Sequence, residues 1–320
     1  MKTNPIIIVS GEPKSIFFEI LFKTLKSRKI KSPIILITSY KILKSEMKKF
    51  SFKKKINLIN DINIKDYKFD NKKINLIDIK YDDNSIKQKT QIDTTYIENC
   101  FKVAFKIIRS GVSNKFLNGP INKSTFLRKK HPGITEYISK KFKISKNAML
   151  IYNKEISVCP LTTHLPIKVV SKMINKKLII EKVKLVNDFF IEKIGFKPKI
   201  AVTGLNPHCE SILSNNEDTR IISPAIKFLK KKGYKINGPY PADTIFLKQN
   251  RKKYNVIIGM YHDQVLSPIK TLKEYDAINI TLGLPFNRVS PDHGPNQKMV
   301  NKNLSNPLSL IKSLEFLDQQ

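Results

Sequence analysis

The chain has 320 residues, of which 59 are Lys or Arg and 26 are Asp or Glu, so its formal net charge is +33. A hydrophobic fraction of 41% with recurring apolar runs excludes a disordered chain and predicts a globular protein of one large or two medium domains. The three cysteines form no CxxC pair, which excludes a disulfide framework, and no apolar stretch approaches the ~20 residues of a membrane span.

The positive charge has two interpretations. A strongly basic chain is typical of proteins that bind nucleic acid or an anionic membrane. Here the lysines are scattered through every segment, and Ile and Asn are also heavily used while Gly is scarce. This pattern favours drift in base composition. We therefore expect no nucleic-acid or membrane partner and a cytoplasmic location. A basic nucleic-acid-binding protein stays open as an alternative, and it would need its lysines clustered on one face.

The predicted elements begin with a strand at residues 6–9, a turn at 10–13, a helix over 15–29 and a strand at 33–38. Residues 44–90 hold short Ile-rich strand candidates, and an amphipathic helix follows over 94–110. Further strands are predicted at 156–161, 199–203, 256–260 and 278–281, and further helices at 178–194 and 224–232. This alternation of strand and helix predicts an α/β architecture with a largely parallel sheet.

Three of the five histidines lie just past predicted strands: His164, His208 and His262. Ligands of open α/β sheets bind outside the carboxyl ends of the strands. Three imidazoles at that edge could hold one divalent metal with a position left open, as catalytic sites do. The alternative for each histidine is a loop residue with a local hydrogen bond. The residues alone leave the metal open, because imidazole suits Zn, Co, Ni and Fe whereas carboxylate and water suit Mg and Mn.

Two other segments concentrate polar residues. Residues 238–244 carry one glycine and two prolines, which predicts a rigid turn that holds Asp243 at its end; the alternative for Asp243 is a helix-capping role. Residues 279–294 place two glycines beside Arg288, a natural partner of phosphate or carboxylate. The alternative for this second segment is an ordinary strand and turn.

The familiar phosphate and nucleophile motifs are absent from the sequence. The first strand is not followed by GxGxxG, and the chain has no GxxxxGK[ST], HExxH or GxSxG. A dinucleotide that binds here therefore does not use the Rossmann fingerprint.

Six blocks, taken in order and spacing, resemble the signature blocks of the 4-hydroxythreonine-4-phosphate dehydrogenase family. They read LNGPINK (117–123), TTHLP (162–166), GLNPH (204–208), GPYPADT (238–244), YHDQ (261–264) and NITLGLPFNRVSPDHG (279–294). Each block alone is weak, but six in order over nearly the whole chain are specific.

The resemblance implies an isocitrate/isopropylmalate-dehydrogenase-like fold with two α/β domains and an active-site cleft between them. We place residues 1–115 and 275–320 in the domain that contributes the NAD-binding segment, and residues 116–274 in the domain with the metal ligands and the dimer interface. The resemblance also implies a homodimer with an active site shared between the subunits.

The family's functional residues carry over by motif. The resemblance implies metal ligation by His164 and His208 of one chain and His262 of the other, with Zn²⁺ as the metal and Mg²⁺ or Co²⁺ as alternatives. The implied substrate-binding residues are Thr135, Lys270, Asn279 and Arg288. Asp243 and Lys270 are the candidate catalytic residues. NAD, or NADP, would lie against residues 281–294, with Gly283, Leu284, Pro285, Asp292 and His293 as the cofactor-binding residues.

The implied reaction is the NAD-dependent oxidation of 4-phosphooxy-L-threonine to 2-amino-3-oxo-4-phosphooxybutanoate. This product decarboxylates to 3-amino-2-oxopropyl phosphate in pyridoxine 5′-phosphate biosynthesis. The alternatives are the same chemistry on 4-phospho-D-threonate or 4-phospho-D-erythronate, and a three-histidine zinc hydrolase, which would leave residues 279–294 without a role.

The chain departs from the family pattern at three places. Ile134 replaces the histidine of Gly-His-Thr-Glu, and Cys209 begins a segment that replaces a glycine-rich loop. At the N-terminus, only Gly11-Glu12-Pro13 of a longer glycine-containing pattern is kept.

Overall fold

The computed structural model of the chain describes residues 4–60, 64–82, 89–122, 126–127, 131, 133–209, 215–292 and 294–320. The chain divides into two compact units, which we call unit 1 (Met1–Ile134 with Pro285–Gln320) and unit 2 (Thr135–Leu284). The domain borders placed at 115 and 275 from the sequence stay predictions. Among the described helices, none is long and apolar enough to span a membrane.

The strands are β1 Ile6–Val9, β2 Ile34–Thr38, β3 Ile56–Leu58, β4 Ile74–Asp78, β5 Lys115–Asn118, β6 Ala148–Tyr152, β7 Ser157–Pro160, β8 Ile200–Thr203, β9 Ile236–Tyr240, β10 Val256–Gly259, β11 Ile278–Leu282 and β12 Asn287–Pro291.

The α-helices are α1 Phe17–Ser27, α2 Tyr40–Lys49, α3 Lys89–Arg109, α4 Ile134–Lys141, α5 Ile167–Met173, α6 Lys176–Phe189, α7 Ser223–Lys231, α8 Ala242–Ile245, α9 Lys248–Arg251, α10 His262–Lys273 and α11 Leu308–Gln319. Short 3₁₀ segments cover Ile64–Asp66, Pro207–Cys209 and Gln297–Met299, and π-helical turns cover Phe190–Ile194 and Asp218–Ile222.

The strands of unit 1 form a parallel array in the order β3-β4-β2-β1-β5-β12. The apolar run of β1 is buried along its whole length, as expected for a strand of a parallel sheet whose two faces are covered. Helix α3 packs against β1 and β2, and α11 packs against β5 and β12. The predicted strands at 6–9 and 33–38 are confirmed by β1 and β2.

The strands of unit 2 follow the order β11-β6-β7-β10-β8-β9. Strands β7, β10, β8 and β9 are parallel, whereas β6 is antiparallel to both of its neighbours. The prediction of a largely parallel sheet is therefore confirmed, with β6 as the exception. The buried core between these strands and α10 includes Val158, Ala201, Ile257, Val265 and Ile269.

The predicted turn at residues 238–244 is wrong for its first half. Gly238, Pro239 and Tyr240 belong to β9. Among the described strands, β9 lies at the outer end of the unit 2 order and pairs only with β8, where the register shifts between Ala201 and Thr203. Proline is tolerated in an edge strand because the missing N–H need not be part of a full ladder. Gly238 fits there because an added Cβ would lie 2.4 Å from the Val202 carbonyl oxygen.

Candidate active site

The three strand-end histidines lie beyond neighbouring parallel strands. His164 follows β7, His262 follows β10 and His208 follows β8, and these strands are adjacent in the order β7-β10-β8. Their carboxyl ends therefore share one edge of the unit 2 sheet, as the sequence predicts.

His164 and His262 are neighbours because the chain segments that carry them are hydrogen-bonded together. The Leu161 amide donates to the Gly259 carbonyl at 2.7 Å, and the Thr162 hydroxyl donates to the Met260 carbonyl at 2.8 Å. The two imidazole rings have centroids 6.0 Å apart. The hydrogen bonds between the segments that follow β7 and β10 thus hold the His164 and His262 rings near each other.

Each of these two imidazoles has a carboxylate on its Nδ1 side. Asp263 Oδ1 lies 2.6 Å from His262 Nδ1, and Glu136 Oε1 lies 3.8 Å from His164 Nδ1. The Asp263 contact is a hydrogen bond and favours the Nδ1–H tautomer of His262, which leaves its Nε2 with a lone pair for a cation, whereas the 3.8 Å between Glu136 and His164 is longer than a hydrogen bond. This donor chemistry fits a divalent metal.

The Glu136 carboxylate is half-buried and held by its neighbours. Burial raises its pKa, but the His164 ring, the backbone amide of Glu136 and the Thr163 hydroxyl, which donates at 3.3 Å, together outweigh that effect, so the net pKa lies below the ordinary value. Glu136 Oε2 is buried and has no hydrogen-bond partner among the described residues. The charged carboxylate is therefore the favoured form beside His164.

His208 lies in an exposed turn after β8 and has a left-handed backbone with φ of 59°. Asp218, which is 1% exposed, fixes this turn: its Oδ1 accepts the Leu205 amide at 2.7 Å, and its Oδ2 accepts the Asn206 amide at 3.1 Å. No group of three His, Cys, Asp or Glu residues close enough to hold a metal occurs within the part of the chain that the structure describes. Ligation by His164 and His208 of one chain and His262 of the other stays a prediction.

Gln264 connects the strand ends behind two of the histidines. Its Oε1 accepts the Met260 amide at 2.7 Å and the Thr203 hydroxyl at 2.8 Å, and its Nε2 donates to the Gly204 carbonyl at 2.8 Å. This buried amide therefore sets the spacing between the end of β8, which leads to His208, and the end of β10, which leads to His262.

The two predicted catalytic residues of unit 2 are exposed. Lys270 lies about two turns after His262 on α10. Asp243 lies in the first turn of α8, whose N-cap is Pro241, so the capping alternative for Asp243 is wrong. Both side chains are accessible to a ligand.

Thr135 and Asn279, the predicted substrate-binding residues of unit 2, are more enclosed. Thr135 is 8% exposed, and its hydroxyl lies 3.3 Å from the Thr281 hydroxyl on β11. Asn279 Oδ1 is buried without a hydrogen-bond partner among the described residues. A buried acceptor without a partner needs a donor from elsewhere, and a bound ligand would supply one.

Arg288 of unit 1 is held inside its own sheet. It is 3% exposed, and its Nε and Nη2 both donate to Asn118 Oδ1, at 2.9 and 2.7 Å. Asn118 ends β5, which pairs with β12. The guanidinium is therefore fixed at the carboxyl end of β5.

A buried carboxylate occupies the same edge of unit 1. Glu12 is 6% exposed and accepts the Asn122 amide at 3.1 Å. Burial raises the pKa of Glu12, the Asn122 hydrogen bond lowers it, Asp93 raises it further, and the net pKa is above the ordinary value. The sequence indicated Gly11-Glu12-Pro13 only as a turn.

The predicted cofactor segment runs through β11 and β12. Gly283 has a φ of 86°, and a Cβ there would lie 2.3 Å from the Lys146 carbonyl oxygen, so only glycine fits. Pro285 is exposed, Leu284 and Asp292 are half-exposed, and the Asp292 amide donates to the Ser309 hydroxyl at 2.9 Å. His293 lies outside the described residues.

Sequence reasoning missed three side chains that position this edge of unit 2: Glu136, Asp218 and Gln264. Glu136 and Gln264 lie in or beside blocks quoted for the resemblance, but nothing in their spacing indicates their partners. Gln264 bonds Thr203, which is 61 positions away. A buried polar group with distant partners leaves no periodic signal.

Comparison with known proteins extends this description to the whole chain. Residues 29–317 match the family model described as pyridoxal phosphate biosynthetic protein PdxA. A 4-hydroxythreonine-4-phosphate dehydrogenase of Sulfurihydrogenibium sp. is 36% identical over 97% of this chain and 96% of its own length. A D-threonate 4-phosphate dehydrogenase of Pectobacterium atrosepticum is 33% identical over 77% of each chain.

Solved structures give the same result for the fold. The crystal structure of 4-hydroxythreonine-4-phosphate dehydrogenase from Klebsiella pneumoniae is 26% identical, with a TM-score of 0.82 over 99% of this chain and 100% of that chain. An isocitrate dehydrogenase from Methylococcus capsulatus is 9% identical, with a TM-score of 0.51 over 97% of this chain and 83% of that chain, and it supports the fold alone. The predicted isocitrate/isopropylmalate-dehydrogenase-like α/β fold is confirmed. The chain belongs to the PdxA family, whose members include the 4-hydroxythreonine-4-phosphate dehydrogenases.

Proposed function

We propose that this protein oxidises the hydroxyl-bearing carbon of 4-phosphooxy-L-threonine with NAD, or alternatively NADP. The product, 2-amino-3-oxo-4-phosphooxybutanoate, decarboxylates to 3-amino-2-oxopropyl phosphate, a step of pyridoxine 5′-phosphate (vitamin B6) biosynthesis. We propose the cytoplasm as the location of this reaction. The observation that carries the proposal is the match to a 4-hydroxythreonine-4-phosphate dehydrogenase over 97% of the chain.

The metal would be held by His164 and His208 of one chain and His262 of a second copy, all at the carboxyl edge of unit 2. His164 and His262, each with a carboxylate on its Nδ1 side, can present Nε2 to a cation, and His208 lies past the adjacent strand. When bound, Zn²⁺ (or Mg²⁺ or Co²⁺) supplies a Lewis acid for the substrate hydroxyl, and the nicotinamide supplies the hydride acceptor.

The chain's own residues would bind the rest of the substrate. Lys270 offers an exposed ammonium to an anionic group, and Arg288 offers a guanidinium already held by Asn118. Thr135 and Asn279 can hydrogen-bond polar groups of the substrate, and the buried Asn279 Oδ1 supports this role because a substrate donor would satisfy it. Asp243, exposed in the first turn of α8, would orient the ligand set or relay a proton.

The cofactor would lie against residues 281–294. Gly283 allows a backbone turn that a side chain would block, and Leu284, Pro285, Asp292 and His293 follow it in the segment. The family resemblance implies NAD binding by this segment, and the chain has no Rossmann fingerprint after β1.

We further propose a homodimer with shared active sites. Three apolar side chains that follow His164 are exposed: Leu165 by 40%, Ile167 by 69% and Met173 by 48%. Exposed apolar side chains that are close along the chain are candidates for an interaction surface. A second copy that packs on this segment would bring its own residues close to His164.

A second substrate is favoured by one comparison. The relative from Pectobacterium is named D-threonate 4-phosphate dehydrogenase, and at position 134 this chain has a 7% exposed isoleucine where the 4-hydroxythreonine-4-phosphate dehydrogenase pattern has a histidine. The same chemistry on 4-phospho-D-threonate, or on 4-phospho-D-erythronate, is therefore the second candidate.

The test is NADH formation by the purified protein with each of the three substrates, after chelation and after restoring Zn²⁺, Mg²⁺ or Co²⁺. We expect turnover with 4-phosphooxy-L-threonine that requires metal and falls at least about 10³-fold in His208→Ala, because a lost Lewis acid costs several kcal/mol. The exposed Lys248→Ala of the same unit serves as the control and keeps full activity. Turnover with phospho-threonate alone would assign the second function, and hydrolysis without NADH would indicate the zinc hydrolase.

A further inference from the structure

Unit 1 contains a cavity of about 330 Å³ at the amino-terminal edge of its sheet. Its apolar lining consists of Leu21, Leu25, Ile30, Ile34, Leu36 and Ile74. Because the strands of unit 1 are parallel, this edge is opposite to the carboxyl edge where Glu12 and Asn118 lie. The cavity is therefore separate from the candidate active-site residues of unit 1.

The lining is basic without a balancing carboxylate. It includes five cationic side chains, Lys26, Arg28, Lys29, Lys54 and Lys73, and no Asp or Glu. Arg28 and Lys73 have carboxylate partners outside the lining, Glu315 at 3.2 Å and Asp70 at 3.4 Å. Within the described ranges, Lys26, Lys29 and Lys54 have no carboxylate oxygen within 4.0 Å.

A buried ammonium lies behind the same wall. Lys115 is 4% exposed, and its Nζ donates at 3.1 Å to the hydroxyl of Ser32, which lines the cavity. An ammonium has three N–H donors, and among the described residues no carboxylate lies within 4.0 Å of this one. The Asp318 carboxylate instead accepts the Lys31 and Ser32 amides, at 2.9 and 2.7 Å.

The electrostatic consequence is an excess of positive charge around a partly open cavity. Burial lowers the pKa of Lys115, partly opposed by Asp318, and burial likewise lowers the pKa of Lys54, partly opposed by Asp70. Such shifts mean that the protein alone stabilises these ammonium ions less well than water does. An anion bound in the cavity would stabilise the Lys115 and Lys54 ammonium ions and so raise their pKa values again.

We propose that this cavity binds a small organic phosphate, with the phosphate among Lys26, Lys29 and Lys54 and an apolar ring on the apolar lining. The volume falls at the lower end of small-molecule pockets, which suits one ring and one phosphate rather than a polymer. Lysine ammonium groups bind phosphate as point charges, so the exposed Lys26 and Lys29 can adapt to the ester beside the half-buried Lys54.

Calorimetric titration of the full chain with phenyl phosphate tests the proposal. Two comparison ligands are titrated in the same way: inorganic phosphate, which lacks the ring, and benzyl alcohol, which lacks the charge. The variant Lys26→Gln/Lys29→Gln/Lys54→Gln is compared with Lys227→Gln/Lys230→Gln/Lys231→Gln on α7, an exposed set that removes the same charge. We expect phenyl phosphate to bind the wild type more tightly than either comparison ligand does. Its affinity should fall at least about tenfold in the cavity variant, which carries the Lys26, Lys29 and Lys54 substitutions, and stay unchanged in the α7 variant.

Three outcomes would overturn the proposal, given circular dichroism that shows both variants folded. They are no binding of phenyl phosphate to the wild type, equal weakening in the two variants, and unchanged affinity in the cavity variant. The second outcome would indicate attraction by net charge, and the third would place the phosphate at another site, such as the candidate active site.

Discussion

The polar side chains at the carboxyl edges of the two sheets differ in burial and in the groups they contact. In unit 1, Glu12 and Arg288 are almost completely buried and are bonded to the Asn122 amide and to Asn118. In unit 2, Lys270 and Asp243 are exposed, and so is His208. Among the buried polar groups of unit 2, Gln264 and Asp218 hold backbone segments.

This difference indicates which side chains of each unit are available to a ligand or a second subunit. At the unit 1 edge, Glu12 and Arg288 are held by hydrogen bonds within their own chain before any ligand arrives. The unit 2 edge fixes the backbone and leaves the side chains accessible, which suits residues that are to contact a ligand or a second subunit. The three predictions below test this contrast.

The largest effect is expected at Gln264. Gln264→Leu leaves the Met260 amide, the Gly204 carbonyl and the Thr203 hydroxyl without their partner, and each unsatisfied buried group costs about 1–3 kcal/mol. We expect a loss of roughly 3 kcal/mol or more in the free energy of unfolding, measured by urea denaturation. Gln249→Leu, exposed on α9, is the control and changes stability little. Equal midpoints for the two variants would mean that the Gln264 amide does not hold the edge together.

A smaller, pH-dependent effect is expected at Glu12. Because its folded pKa is raised above the ordinary value, the protonated form is favoured in the fold, and the stability it contributes is lost as pH rises from the ordinary carboxyl pKa through the folded pKa. Glu12→Gln should therefore remove part of the fall in melting temperature across that window and be more stable than the wild type at neutral pH. Glu98→Gln, half-exposed on α3, is the control. A Glu12→Gln protein that is less stable at neutral pH would show that the charged carboxylate is needed.

The smallest effect concerns the accessibility of the cysteine thiols. Burial raises the pKa of Cys100 and Cys159 to about 12, whereas Cys209 is half-exposed at the unit 2 edge. We expect a thiol reagent to label one of the three cysteines quickly in the native protein and all three after denaturation, read by mass spectrometry. Cys209→Ser should abolish the fast phase. Fast labelling of Cys100 would contradict a closed unit 1.

Much of the fold was predictable because the signals are local. The β-branched runs at Ile6–Val9 and Val256–Gly259 are strands as predicted, and the amphipathic stretch predicted at 94–110 lies in α3 except for its last residue. The placement of His164, His208 and His262 at one sheet edge also followed from their positions after strands. The strand order was not predictable, because it depends on contacts between distant segments.

The candidate site was less predictable at the level of hydrogen bonds. Nothing at Asp218 indicates that it holds the turn before His208, because its partners are backbone amides. Likewise, the two prolines and the glycine of residues 238–244 are typical of a turn, and only pairing with β8 shows that Gly238, Pro239 and Tyr240 extend a strand. Side-chain chemistry at a sheet edge is decided by neighbours that the sequence does not identify.

The proline in β9 also bears on how these molecules behave when crowded. An unprotected sheet edge can recruit a strand from another molecule and begin an ordered aggregate. β9 is the outermost described strand of unit 2, and Pro239 has no N–H to offer to an incoming strand, while the register shift beside it disturbs the regular spacing that such pairing requires. The backbone at Pro239 thus lacks one of the donors with which a strand from another molecule could pair.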